Sequence, residues 1–142
     1  MRSRFGAALL AALVGATVLS GCTNDDDACA RAFETAALAV DEVATANFSC
    51  TSGFEHGSQG GVITLSVDSE DQALPVIEKV YRGFASSGEL DDAWTADADF
   101  FLKNADTANH EEIIDDSALG IEDDPLIFTL RDRYGIRPPD VD

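Results

Sequence analysis

The stretch 61-GVITLSVDSEDQALPVIEKVYRGFAS-86 decides how this chain folds. Its first residues alternate, with Ile63, Leu65 and Val67 on one side, which is the period of a half-buried strand. Past Asp68 the period lengthens. Leu74, Ile77, Tyr81 and Phe84 recur at helical spacing and form one apolar face. Ser69 and Gln72 have the spacing of a capping box. Pro75 opposes so early a start, because proline past the first turn clashes with the preceding turn. The helix is therefore predicted from Asp71 or later, with Ser69 over a frayed turn only. A strand followed by an amphipathic helix needs partner strands, and the flanking sequence offers them.

Upstream, 45-TANFSCT-51 alternates, with Ala46, Phe48 and Cys50 on one side. The glycine-rich 52-SGFEHGSQGG-61 between the two runs predicts a hairpin loop. Before them, 30-ARAFETAALAVDEV-43 is rich in alanine and places Phe33, Ala37, Val40 and Val43 at helical spacing. Downstream, 97-DADFFLK-103 predicts a third strand with Ala98, Phe100 and Leu102 inward. Two closing helices are expected. One lies in 109-NHEEIIDDSALGI-121, with Asn109 as cap and Glu112 three positions on. The other lies in 124-DPLIFTLRDRYGI-136, with Asp124 as cap and Pro125 first in the helix. Gly120 and Gly135, each followed by isoleucine, predict left-handed helix endings.

These elements predict an α+β member of the α/β class. The architecture is a two-layer sandwich, a small, mostly antiparallel three-stranded sheet packed on helices, with half-ferredoxin-like order. The second strand should reach the third by a right-handed crossover. Residues 30–137 form the expected domain and 138–142 a short tail.

The first residues read differently. Arg2 and Arg4 precede 7-AALLAALVGATVLS-20, an uncharged run shorter than the roughly 20 residues that cross a bilayer. A positive start, a short apolar middle and small residues at the end describe an export signal. Leu19-Ser20-Gly21-Cys22 resembles the lipobox of bacterial lipoproteins. That resemblance implies a diacylglyceryl group on the Cys22 thiol and cleavage of the Gly21–Cys22 bond. Residues 1–21 would then be the signal peptide and 22–29 a polar tether. The same run without lipidation would describe a secreted soluble protein or an N-terminal anchor helix. Two acyl chains make a stable anchor where one does not. The implied location is the outer, extracytoplasmic face of the cell membrane, without a span. The spaced segments 40-VDEVATANFSCTSGFEHG-57, 62-VITLSVDSEDQALPVIEKVYRGFASSGEL-90 and 130-LRDRYGI-136 resemble small exported lipoproteins of actinobacteria. That group lends a fold pattern and a location, and no activity.

The formal charge is −18, with 9 basic and 27 acidic residues. Both arginines of the first 21 residues would leave with the signal, so the chain from Cys22 carries about −20. Such a surface argues against nucleic acid and against adhesion to anionic headgroups. Cys29 and Cys50 remain once Cys22 is modified. An oxidising location permits a disulfide between them, and two buried thiols are the alternative.

No catalytic constellation stands out. His56 lies in the predicted loop and His110 at the start of a predicted helix, without the second histidine of a zinc helix. No G-x-S-x-G surrounds a serine. The carboxylates of 91-DDAWTADAD-99 lack the glycine and closing glutamate of a calcium loop. Trp94 and Phe101 would form an apolar patch if outward, or cover the core if inward. No cofactor is expected. The sequence thus points to a lipid-anchored binding or structural module of the cell envelope, with a membrane and an envelope protein as partners. The alternatives are a hydrolase using the loop around His56 and a weak divalent-cation binder.

Overall fold

Aromatic rings close the centre of the fold. In the computed structural model, which describes residues 25–52 and 58–137, Phe33 stacks on Phe48 at 4.9 Å between centroids and meets Phe84 edge-on at 5.2 Å. These three rings come from three elements: helix α1 (Asp25–Leu38), strand β1 (Val43–Thr51) and helix α2 (Glu70–Ser86). Strands β2 (Ser58–Leu65) and β3 (Asp97–Phe101) complete the sheet, and helix α3 (Ile127–Tyr134) closes the described chain. Aromatic pairs at these spacings add about 0.5–1.5 kcal/mol each beyond burial.

The sheet order is β1-β2-β3. β1 and β2 run antiparallel, with Phe48 opposite Gly61 and Cys50 opposite Gln59. β2 and β3 run parallel and are joined through α2, with Ile63 beside Phe100. The α+β reading therefore holds: a mixed, mostly antiparallel three-stranded sheet with helices, consistent with two layers. Ile63, Leu65, Phe48 and Phe100 face the α1–α2 layer and are buried.

Several boundaries differ from the sequence reading, each for a local reason. β2 begins at Ser58 and takes in four residues of the expected loop. A Cβ on Gly61 would lie 2.6 Å from the Phe48 ring, so the glycine is in the strand to let that ring lie across it. α1 begins at Asp25, inside the expected tether of 22–29. Asp25, Asp26 and Asp27 occupy its first turn, where the helix dipole favours negative charge. α2 begins at Glu70, one residue before the earliest expected start. Ser69 is a full cap that accepts from Gln72 N, while Gln72 Oε1 accepts from Asp68 N. Pro75 sits inside the helix nonetheless. The buried face of α2 runs through Ala73, Val76, Ile77, Val80, Tyr81 and Phe84, which leaves Leu74 only half-buried.

The expected helix at 109–120 does not form. Two 3-10 turns, His110–Glu112 and Ser117–Leu119, take its place. Between them Ile114 is extended, and its N–H donates to Phe100 O at 2.8 Å along the outer edge of β3. Asp115 and Asn109 accept from nearby backbone N–H groups, which favours turns over a continuous helix. Asp124 does not cap α3. Its φ is +51°, and α3 starts two residues after Pro125 with Leu126 at the cap position. The first donors of α3 go to the 92–94 loop instead: Ile127 N to Trp94 O and Phe128 N to Asp92 O. Gly120 and Gly135 adopt the expected left-handed conformation, at φ +66° and +63°. The expected signal segment 1–21, the first residues of the expected tether and the expected tail 138–142 lie outside the described residues.

Candidate functional site

β3 is an edge strand, and the chain from Ile113 to Ile127 returns along it. Contact is made at its two ends, by Ile114 N to Phe100 O and by Ala96 N to Pro125 O. Between those points the returning chain leaves the strand through the 117–119 turn and Gly120. The gap is a shallow cleft of about 200 Å³. Asp97, Asp99, Asp116, Glu122, Asp123 and Asp124 line it, together with Tyr81 from α2. Among the described residues no lysine, arginine, histidine, serine or cysteine does so.

The electrostatics follow from that lining. Burial at the cleft edge, and then the neighbouring Asp124 carboxyl, push Asp97 up to about 6. Asp116 is also raised, mainly by burial, although the Tyr81 hydroxyl donates to its Oδ2 at 3.0 Å and opposes the shift. Burial and the Asp116 charge hold Tyr81 protonated. The cleft can thus hold and release a proton in the mildly acidic range. Among the described residues no three His, Cys, Asp or Glu side chains are grouped to hold a metal ion.

The residues singled out from sequence are dispersed. Cys29 and Cys50 come together, with their sulfurs 2.07 Å apart and their Cα atoms 6.2 Å apart, at disulfide distance. Cys22 and His56 lie outside the described residues. His110 is exposed on its turn, and the adjacent Glu112 is used locally, accepting from Asp106 N at 2.8 Å. The 91–99 carboxylates separate three ways. Asp91 caps Ala93 N, Asp92 pairs with Arg131, and Asp97 and Asp99 face the cleft. Phe101 is 1 % exposed and Trp94 packs against the core, so they make no outward patch.

Arg131 was not anticipated. It is a buried guanidinium on α3, and it reaches the C-terminal end of α2. Nε donates to Ala85 O at 3.0 Å, and Nη2 donates to Ser87 O at 2.6 Å and Leu90 O at 3.0 Å. Nη1 pairs with Asp92. α2 has no basic residue in its own last turn, so Arg131 supplies the positive charge and the donors its terminal carbonyls lack. The role is structural: it locks α3 to α2. The sequence did carry one signal, an arginine at helical spacing with Ile127, Leu130 and Tyr134.

No protein-family model, curated protein or solved structure matches this chain.

Proposed function

We propose that this protein is a lipid-anchored, extracytoplasmic component of the cell envelope that acts as a binding or structural module. The observation that carries the reading is the ordered pattern Arg2–Arg4, uncharged 7–20, then Leu19-Ser20-Gly21-Cys22. On this reading the Cys22 sulfur carries the diacylglyceryl group, and water cleaves the Gly21–Cys22 bond. Two chains then hold the protein at the membrane surface. The Cys29–Cys50 pair at bonding distance supports an oxidising compartment. The described residues hold no helix long and apolar enough to cross a membrane, which is compatible with anchoring by lipid.

The test is expression in a lipoprotein-processing host, followed by fractionation and intact-mass measurement. The wild-type chain should begin at Cys22, carry added lipid mass and sediment with membranes. Cys22→Ser should lose the lipid and leave the membrane fraction. A wild-type chain without lipid mass overturns the reading.

A further inference from the structure

We propose that the domain faces the membrane with one defined end, the end built from the first turns of α1, the Cys29–Cys50 link and the loop between α2 and β3. Its opposite end then points into the envelope. The inference rests on the lipid anchor at Cys22 and adds what that anchor alone does not supply, a distance and an orientation.

The distance follows from where α1 begins. Only Thr23 and Asn24 stand between Cys22 and Asp25. Three residue steps span at most about 10 Å, whatever their conformation. Asp25 also belongs to the rigid body. Four residues on, Cys29 is buried and joined to β1 through Cys50. One further turn along, Phe33 is fully buried against Phe48, and Glu34 Oε1 accepts from Phe48 N at 2.9 Å. The eight-residue tether expected from sequence would let the domain tumble. A three-step link keeps the start of α1 within about 10 Å of the anchor, which holds that end nearer the membrane than the other.

The orientation follows from topology. α1 runs antiparallel to β1, so its start lies beside Cys50 and the last hairpin pair, Thr51 and Ser58. α2 returns to the same end. There Ala28 and Arg31 of α1 share a hollow with Glu89 and Trp94 of the α2–β3 loop. The other end holds Glu42, the Ser66–Ser69 connection and the exit of β3, tied together by Ser66 N to Glu42 O and Lys103 N to Val67 O. The eight residues of β2 separate the two ends by roughly 26 Å. Charge favours the same pose. A body of about −20 held by one end near an anionic surface is driven to point its free end away. The screening length is about 10 Å at 0.1 M salt, close to the reach of the link, so this repulsion acts over the same distance as the link.

The chain's single tryptophan, Trp94, marks the anchored end and reports the pose. The full lipidated protein is placed in phosphatidylcholine vesicles carrying a headgroup spin label, and tryptophan emission is measured. A companion variant, Trp94→Phe with Leu102→Trp, moves the probe to the far end. A third form inserts about twelve Gly/Ser residues between Asn24 and Asp25, a spacer with an average reach of roughly 19 Å. The spin label should quench Trp94 several-fold more than the probe at 102, and the spacer should bring the two values together. Equal quenching at both positions without the spacer, with lipid mass present on Cys22, overturns the orientation alone. Absence of lipid mass overturns the anchor and the orientation with it.

Discussion

Replacing Arg131 with methionine should cost the protein about 3–5 kcal/mol, the range for removing one member of a buried charged network. The side chain is 8 % exposed, and its guanidinium serves three backbone carbonyls and one carboxylate. Taken singly, hydrogen bonds to a charged donor are worth about 1.5–3 kcal/mol. They are not summed, because one group makes them all. Methionine keeps much of the aliphatic stem, so the loss isolates the guanidinium. Asp92 provides the control. Its side chain is 56 % exposed, so Asp92→Asn should cost under about 1 kcal/mol, the usual limit for an exposed partner. Urea unfolding of both variants beside wild type reads the two values directly, through midpoints at unchanged slope. The melting temperature of Arg131→Met should fall by roughly 10–25 °C for a domain of this size. A loss below about 1 kcal/mol for Arg131→Met would refute the carbonyl clamp, being less than one charged hydrogen bond. Equal losses for the two variants would refute it differently, by placing the energy in the ion pair.

The remaining predictions follow from single contacts. The intact mass of the alkylated protein should differ before and after reduction. Removing the Cys29–Cys50 link should cost about 3 kcal/mol in chemical unfolding, the value for closing a loop of this length; an unchanged mass refutes the bond. Gly61→Ala should lose about 1–3 kcal/mol, because the new methyl enters the Phe48 ring and disturbs its stack on Phe33. A neutral alanine would show that the ring moves aside freely. For Asp97 the folded state holds the proton more tightly than the unfolded chain. Its contribution is therefore fully present below about 3.8 and is lost as pH rises through about 6. Asp97→Asn should accordingly raise the melting temperature relative to wild type at pH 7 and leave it nearly unchanged at pH 3.5. A constant difference across that range would contradict the assignment.

The elements most legible from sequence were those whose periodicity was set by one buried face. The alternation of Phe48 and Cys50 on β1, and of Ile63 and Leu65 on β2, is the alternation of the buried face itself. The left-handed glycines at 120 and 135 were readable because only local backbone geometry decides them. The failures occurred where a distant partner overrode a local preference. Residues 109–120 carry helix caps at both ends, yet the open edge of β3 takes Ile114 as a partner and extends the chain there. Gly61 read as loop because nothing within ten residues announces the Phe48 ring that covers it. Asp124 read as a cap because the two carbonyls that receive the α3 donors come from Asp92 and Trp94, over thirty residues away.

The same distinction governs the functional reading. Tyr81 and Asp116 are 35 residues apart, and Arg131 lies 46 residues from the Ala85 carbonyl it serves. Contacts that long leave little trace in composition or spacing. Arg131 is the instructive case because a trace was there. With Ile127, Leu130 and Tyr134 it occupies the inward stripe of a short helix. A charged residue in that stripe must either reach solvent or find partners inside. The next helix upstream, α2, ends without a basic residue and with carbonyls to satisfy. Together those two deficits, an inward cation without a partner and a helix end without a cation, pair α3 with the end of α2 from sequence alone. The cleft has no such complementary deficit in the sequence. Its carboxylates are six among 27 acidic residues, and only the detour of the returning chain around the β3 edge gathers them.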